Sequence, residues 1–421
     1  MLSRSAYRAV RSTPKPSSQL YSTQLPRNFF SRSINIHHKS PLARIRFYSA
    51  STGRPRVSAW PWVRDLYRQN PISMSIWIAM MIGVIGFIGS NFYWYFKDLL
   101  PIDQKYPAPV ANKLRRALWY TDKTPDVQQA LANYFDAIRV AQEHGLPSLC
   151  REVLGIKIKI AETLEKFRDV ENAIVILDRI RQECQEFLDT KPTYLPPSER
   201  SNILATTVKT SIKIAELYGS DAIQDSAASE RNLTEGVEII LKEQRRRQEE
   251  GVLPEEEGEN EWFGGEEAGA TFERLANHYE AESKHYLAAP LYLRALMLSP
   301  RTCHAALLMN NLGQSLAQTL PDSGVNMAAT RETFIENATL WAEKSLATAA
   351  EIKPPHRDEE CDLTCAVATH NLGEFAEMQR RYDEAKKRYA EAMSLAKALN
   401  FEDGVRNAQE ALRRIDKLTV G

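Results

Sequence analysis

FERLANHYEAESKHYLAAPLYLRALMLSP, residues Phe272–Pro300, decides the fold. Phe272, Leu275-Ala276 and Tyr279 recur at steps of three and four, the period of one helix face. Ala288, Tyr292 and Ala295 repeat that period on a second helix, and Pro300 ends it. An interhelical turn falls between His278 and His285. The small residues sit where the two helices cross, and the large ones fill the space between them.

The same offsets recur outward along the chain. Leu372-Gly373, Ala376, Ala385, Tyr389 and Ala392 repeat them, with Arg381–Ala385 as the turn. Asn311-Leu312-Gly313 opens another first helix. Its mate carries Ala342, Leu346 and Ala349, beyond an insertion at Leu320–Thr330. Earlier units are more degenerate. Ile160-Ala161 and Leu164 precede Ala173, Leu177 and Ile180; Asn112–Tyr120 precedes Ala130, Tyr134 and Ala137; Ile214-Ala215 and Tyr218 precede Leu233–Arg247. No run alternates β-branched residues in the manner of a strand. The pattern resembles the tetratricopeptide signature. The fold expected is all-α, a tetratricopeptide-like helical-repeat solenoid of about six helix pairs with a concave groove. Residues 97–248 read as degenerate repeats and 268–421 as clearer ones. Residues 249–267, with nine Glu and four Gly, read as an acidic linker.

Upstream, the chemistry changes. The 421-residue chain has a formal net charge of zero, but Met1–Asn70 holds 13 Lys and Arg against Asp65 alone. The remainder is therefore acidic, which argues against nucleic acid as the main partner. An arm without acid, rich in Arg and Ser, has the composition of a mitochondrial transit peptide. Arg4, Arg8 and Arg11 fall on one helix face, and Arg46-Phe47-Tyr48-Ser49 resembles a matrix-peptidase cleavage site. Residues 1–48 read as the transit peptide and 49–71 as a short basic segment on the matrix side.

From Gln69 to Phe96 no residue is charged. Residues 72–96 exceed the roughly 20 needed to cross a bilayer, so they read as one transmembrane helix preceding the solenoid. Trp77 and Tyr93-Trp94-Tyr95 suit the two interfaces, and Arg54, Arg56, Arg64 and Arg68 precede the span. The positive side belongs in the matrix, which puts the C-terminal domain in the intermembrane space. A single-pass mitochondrial inner-membrane protein is expected, with its N-terminus in the matrix. Gly83, Gly86 and Gly89 form a candidate helix-packing face within the bilayer.

The chain carries no phosphate loop, HExxH, G-x-S-x-G or paired CxxC. Neither catalysis nor a cofactor or metal is expected. Cys150, Cys184, Cys303, Cys361 and Cys365 read as buried or inert thiols. None of the histidines of the body has a metal-ligand partner at helical spacing, and His278 and His285 read as structural or exposed. Asn310, Asn311 and Asn371 precede the Leu-Gly pairs, where a first helix tends to face the groove. There an amide offers a peptide both a donor and an acceptor; plain helix-surface polarity is the alternative.

Three stretches carry a closer resemblance: Tyr106-Pro107-Ala108-Pro109-Val110, Leu114–Tyr120, and Glu152–Ala161. With the presequence, span and repeats, they make the chain similar to the tetratricopeptide adaptor subunit of the mitochondrial i-AAA protease supercomplex. The resemblance implies a non-catalytic adaptor that binds unfolded or membrane substrate proteins and delivers them for degradation. It implies as partners the protease and a second membrane adaptor subunit. The alternative on the same plan is an assembly factor for a respiratory complex. A hydrolase hidden in a helical fold, or an outer-membrane import receptor, is favoured less.

Overall fold

The computed structural model describes residues 69–94, 100–190, 197–251, 263–320 and 330–420. The presequence, the basic segment up to residue 68, and the tip of the acidic linker lie outside the described residues. Every described element is a helix or a turn. Two units are described separately, the first ending at Pro101 and the second beginning at Ile102.

In the first unit, helix α1 runs Pro71–Trp94. Proline at the first position is tolerated because that turn has no intrahelical N–H partner. The Ser75 hydroxyl donates to the Pro71 carbonyl at 2.8 Å. The helix is long and apolar enough to cross a membrane, and its apolar side chains are exposed; Ile72 is 77% and Ile85 63% accessible. The expected end at Phe96 falls outside the described residues.

Helix α2, Leu100–Lys105, leads into the repeats. Six antiparallel pairs follow: α3 (Ala108–Asp122) with α4 (Val127–Glu143), α5 (Arg151–Lys166) with α6 (Val170–Thr190), α7 (Pro197–Tyr218) with α8 (Ser226–Glu250), α9 (Gly265–Ala281) with α10 (His285–Leu298), α11 (Cys303–Gln318) with α12 (Arg331–Glu351), and α13 (Glu359–Met378) with α14 (Tyr382–Ala398). A last helix, α15 (Glu402–Val420), covers α14. The sequence reading has no separate counterpart for α15. From α3 to α15 each helix packs on its neighbour in sequence, and the first helices α11 and α13 also lie side by side.

The pair interior is the small–large–small pattern made solid. Ala288, Tyr292 and Ala295 are fully buried, as are Ala130, Tyr134 and Ala137. At Gly373 an added Cβ would sit 2.8 Å from the Tyr389 ring, and at Gly313 2.9 Å from the Ala338 carbonyl oxygen. Filling either site forces the two helices of a pair apart, the overpacking that typically costs about 1–3 kcal/mol.

The turns within three pairs share one geometry. Arg168, Ser283 and Arg380 each lie two residues past the first helix in the left-handed region. The next N–H closes each turn: Asp169 to the Leu164 carbonyl, Lys284 to Tyr279, and Arg381 to Ala376. This is the helix-terminating bond pattern usually built on glycine. None of the three residues is glycine, so no residue type marks these turns.

The acidic linker is shorter than expected. Helix α8 continues to Glu250 and ends on Gly251, at φ 68°, while α9 begins at Gly265. Phe263 is buried in a core cluster with Leu233, Val237, Phe272 and Tyr292. One apolar core therefore runs across the linker and joins α8 to α9.

The reading of five inert thiols is corrected. Cys303 and Cys361 form a disulfide with Cα atoms 4.7 Å apart. Their separation of 58 residues conceals the contact, because repeat stacking brings the starts of α11 and α13 together. Cys365 packs beside them with a free thiol. Cys150 and Cys184 are also free, and burial pushes the Cys184 thiol up to about 11.

A loop closed by a bridge 58 residues apart restricts the unfolded chain by about 4 kcal/mol in the chain-entropy account. A Cys303→Ala/Cys361→Ala variant is expected to lower the urea midpoint accordingly. An unchanged midpoint would show that the bridge carries no stability.

Candidate functional site

Helices α9, α11, α13, α14 and α15 line a cavity of about 200 Å³. Its walls follow helix periodicity. On α11 the lining includes His304, Leu307, Asn311 and Gln314, with Asn310 beside them; on α13 it includes Glu360, Thr364, Val367, Asn371 and Glu374, with Ala366 and His370 beside them. These steps of three and four keep one face of each helix turned inward.

The expected groove residues Asn310, Asn311 and Asn371 all line this cavity, at 2%, 5% and 6% exposure. The Asn371 amide donates to the Asn310 side-chain carbonyl at 3.0 Å, tying α13 to α11. Part of the amide capacity is thus used within the wall. Gln314 differs: it is 5% exposed, and neither its carbonyl oxygen nor its amide nitrogen meets a partner among the described residues. A buried polar group left in that state costs about 1–3 kcal/mol. The other expected set, Gly83, Gly86 and Gly89, lies in the separate apolar unit. Nothing among the described residues comes within 4 Å of a Cβ placed on any of them.

His304 spans three first helices. Its Nε2 lies 2.8 Å from Glu273 of α9, and its Nδ1 3.1 Å from Glu360 of α13. Hydrogen bonds to Glu273 and then Glu360 push its pKa up to about 10, so it stands as an imidazolium donating from both nitrogens. At the other end, Arg414 of α15 donates from Nε and Nη2 to Glu377, at 2.8 and 2.7 Å. The Tyr389 hydroxyl donates to the same carboxylate at 2.7 Å. Burial works to raise the Glu377 pKa, but these donors outweigh it and hold the carboxyl below its usual range. His370 lies 3.6 Å from Glu374, with its ring 4.9 Å from that of Tyr389.

Cys303, Asp358 and Cys361 bring three metal-capable atoms within 4.8 Å. Two of those atoms are the bonded sulfurs of the disulfide, which leaves no thiolate pair to hold an ion. The sequence reading missed His304, Gln314, Glu273 and Glu360 as site residues. The sign available was a polar stripe at three-and-four spacing on the first helices, running through the three asparagines.

The raised His304 value sets a pH dependence. A group whose folded pKa lies above its unfolded value stabilises fully below the unfolded value, about 6.5. That contribution is lost as pH rises toward about 10. The melting temperature of the chain is expected to fall between pH 7 and 10. In His304→Gln the fall should be shallower, and identical slopes would contradict the imidazolium bridge.

No protein-family profile matches the chain. A Schizosaccharomyces pombe protein described as TPR repeat-containing is 28% identical over 327 residues, 77% of this chain and 82% of its own length. BtubC (BKLC) from P. vanneervenii aligns with 17% identity and a TM-score of 0.40, over 65% of this chain and 91% of that one. The TPR2AB domain of yeast Sti1, solved in a complex with pHSP90, aligns with 12% identity and a TM-score of 0.28, over 73% and 99%. The helix-pair assignment rests on the packing of this chain itself. The chain is similar to a protein described as TPR repeat-containing, and its own packing is an all-α, tetratricopeptide-like array of helix pairs.

Proposed function

We propose that this chain is a non-catalytic adaptor anchored by α1 in the mitochondrial inner membrane. In this reading its repeats stand in the intermembrane space, hold exposed segments of unfolded or membrane proteins, and present them to the i-AAA protease beside a second membrane adaptor subunit. The observation that carries the binding role is the cavity. It combines apolar surface with polar side chains, and holds in Gln314 a buried amide without a partner among the described residues. An extended polypeptide offers the N–H and C=O groups that such an amide lacks.

Three further features support the placement. The acid-free arm suits import, and the arginines before α1 suit a matrix-side N-terminus. The Cys303–Cys361 bridge suits a compartment in which disulfides persist. Mechanistically, the repeats need no nucleotide or metal. Holding a segment on a membrane tether raises its effective concentration beside a protease in the same membrane.

The test is a mild-detergent purification of the tagged full chain from mitochondria, with co-purified proteins identified by mass spectrometry. Near-stoichiometric recovery of an i-AAA protease is expected. Recovery of respiratory-complex subunits without the protease would overturn the adaptor role and favour the assembly factor.

A further inference from the structure

The charges of the cavity are unevenly satisfied. Four carboxylates line it, from Glu273, Glu360, Glu374 and Glu410, against the cations His304 and Arg414. The His304 charge is taken up by Glu273 and Glu360. The Arg414 guanidinium is turned to Glu377, which is not part of the lining. Glu374 has His370 at 3.6 Å and shares in the negative charge around Arg414 without bonding it, and Glu410 is exposed at the wall. The open capacity of the cavity is thus carboxylate on α13 and α15 and amide-like at Gln314 on α11. The wall also carries the apolar side chains of Val367, Ala396 and Phe401.

We propose that the cavity selects extended polypeptide segments bearing a lysine or arginine, with Gln314 bonding the segment's backbone and Glu374 and Glu410 receiving the cation. The inference rests on the reading of the chain as a protein-binding repeat. The apolar strip accommodates the methylene stem of a long basic side chain, which buries its carbons while keeping its charged head on a polar group. Unlike charges meeting in a partly desolvated cavity attract more strongly than in water, and like charges are rejected on the same ground. An acidic segment would therefore be excluded, as would a folded surface unable to bring backbone groups to Gln314.

The test is fluorescence anisotropy on the full chain in lipid nanodiscs. Three labelled, unstructured 12-residue peptides are used, identical except for lysine, norleucine or glutamate at two positions. The lysine peptide is expected to bind about tenfold more tightly than the glutamate peptide, less so at high salt. Glu374→Gln with Glu410→Gln should remove most of that preference while leaving the norleucine peptide unchanged. Gln314→Leu should weaken all three peptides several-fold and keep their order. Thermal melts verify folding, and Glu410→Gln alone, at an exposed position, serves if the double variant does not fold. Equal affinity for the lysine and glutamate peptides, a preference untouched by the carboxylate variants, or no binding by any peptide would each overturn the inference. A lysine preference without protease recovery would sink the adaptor role and keep this site; protease recovery without the preference would do the reverse.

Discussion

The structure depends on how closely two helices of a pair can approach. Gly373 lies under the Tyr389 ring, and Gly313 lies under the Ala338 carbonyl, with no room for a further carbon at either place. Alanines flank the buried tyrosines on the second helices for the same reason. With the approach fixed, each pair becomes a unit of set thickness. Such units bury their apolar faces only by stacking on one another. Phe263 shows the reach of that constraint, since it keeps the core continuous where the acidic linker interrupts the helices.

Stacking has a second consequence, which is chemical. It brings first helices side by side, so polar residues far apart in sequence come within hydrogen-bond distance. Asn310 and Asn371 meet across 61 residues, and Glu273 and Glu360 meet on His304. The disulfide between Cys303 and Cys361 pins the same two helices at their starts. The cavity is thus braced by an amide pair, an imidazolium bridge and a covalent link. Its open polar capacity is left on Gln314, Glu374 and Glu410. Bracing of this kind pre-organises a site, which lowers the ordering penalty when a flexible segment binds.

Much of the fold was legible because its rule is local. Small and large residues at three-and-four spacing mark helix pairs in Phe272–Pro300 and in Leu372–Ala392 without reference to anything distant. The candidate site was legible only in part. The three asparagines lie on the inward stripe, but the sequence could not distinguish an amide bonded within the wall from one left open, as Gln314 is. The Cys303–Cys361 bridge and the His304 bridge depend on the rise from one repeat to the next, a quantity no single segment carries. The left-handed turn residues Arg168, Ser283 and Arg380 were hidden because the usual glycine is missing. Helix α15 escaped because it has no mate and so no repeat offset to match.

The membrane span and the repeats answer to different solvents. Helix α1 shows apolar residues on all sides, while the repeats turn theirs inward. The central claim is that the cavity, and not the outer face of the array, holds polypeptide. Site-specific photo-crosslinking of the full chain tests it most directly, with the probe at Leu307 in the cavity wall or at exposed Leu340 on a second helix. The target is a reduced, carbamidomethylated protein that cannot refold, with its native form as the control. The account requires adducts from Leu307 with the unfolded target alone and none from Leu340. Equal adducts from both positions, or none from Leu307, would contradict it.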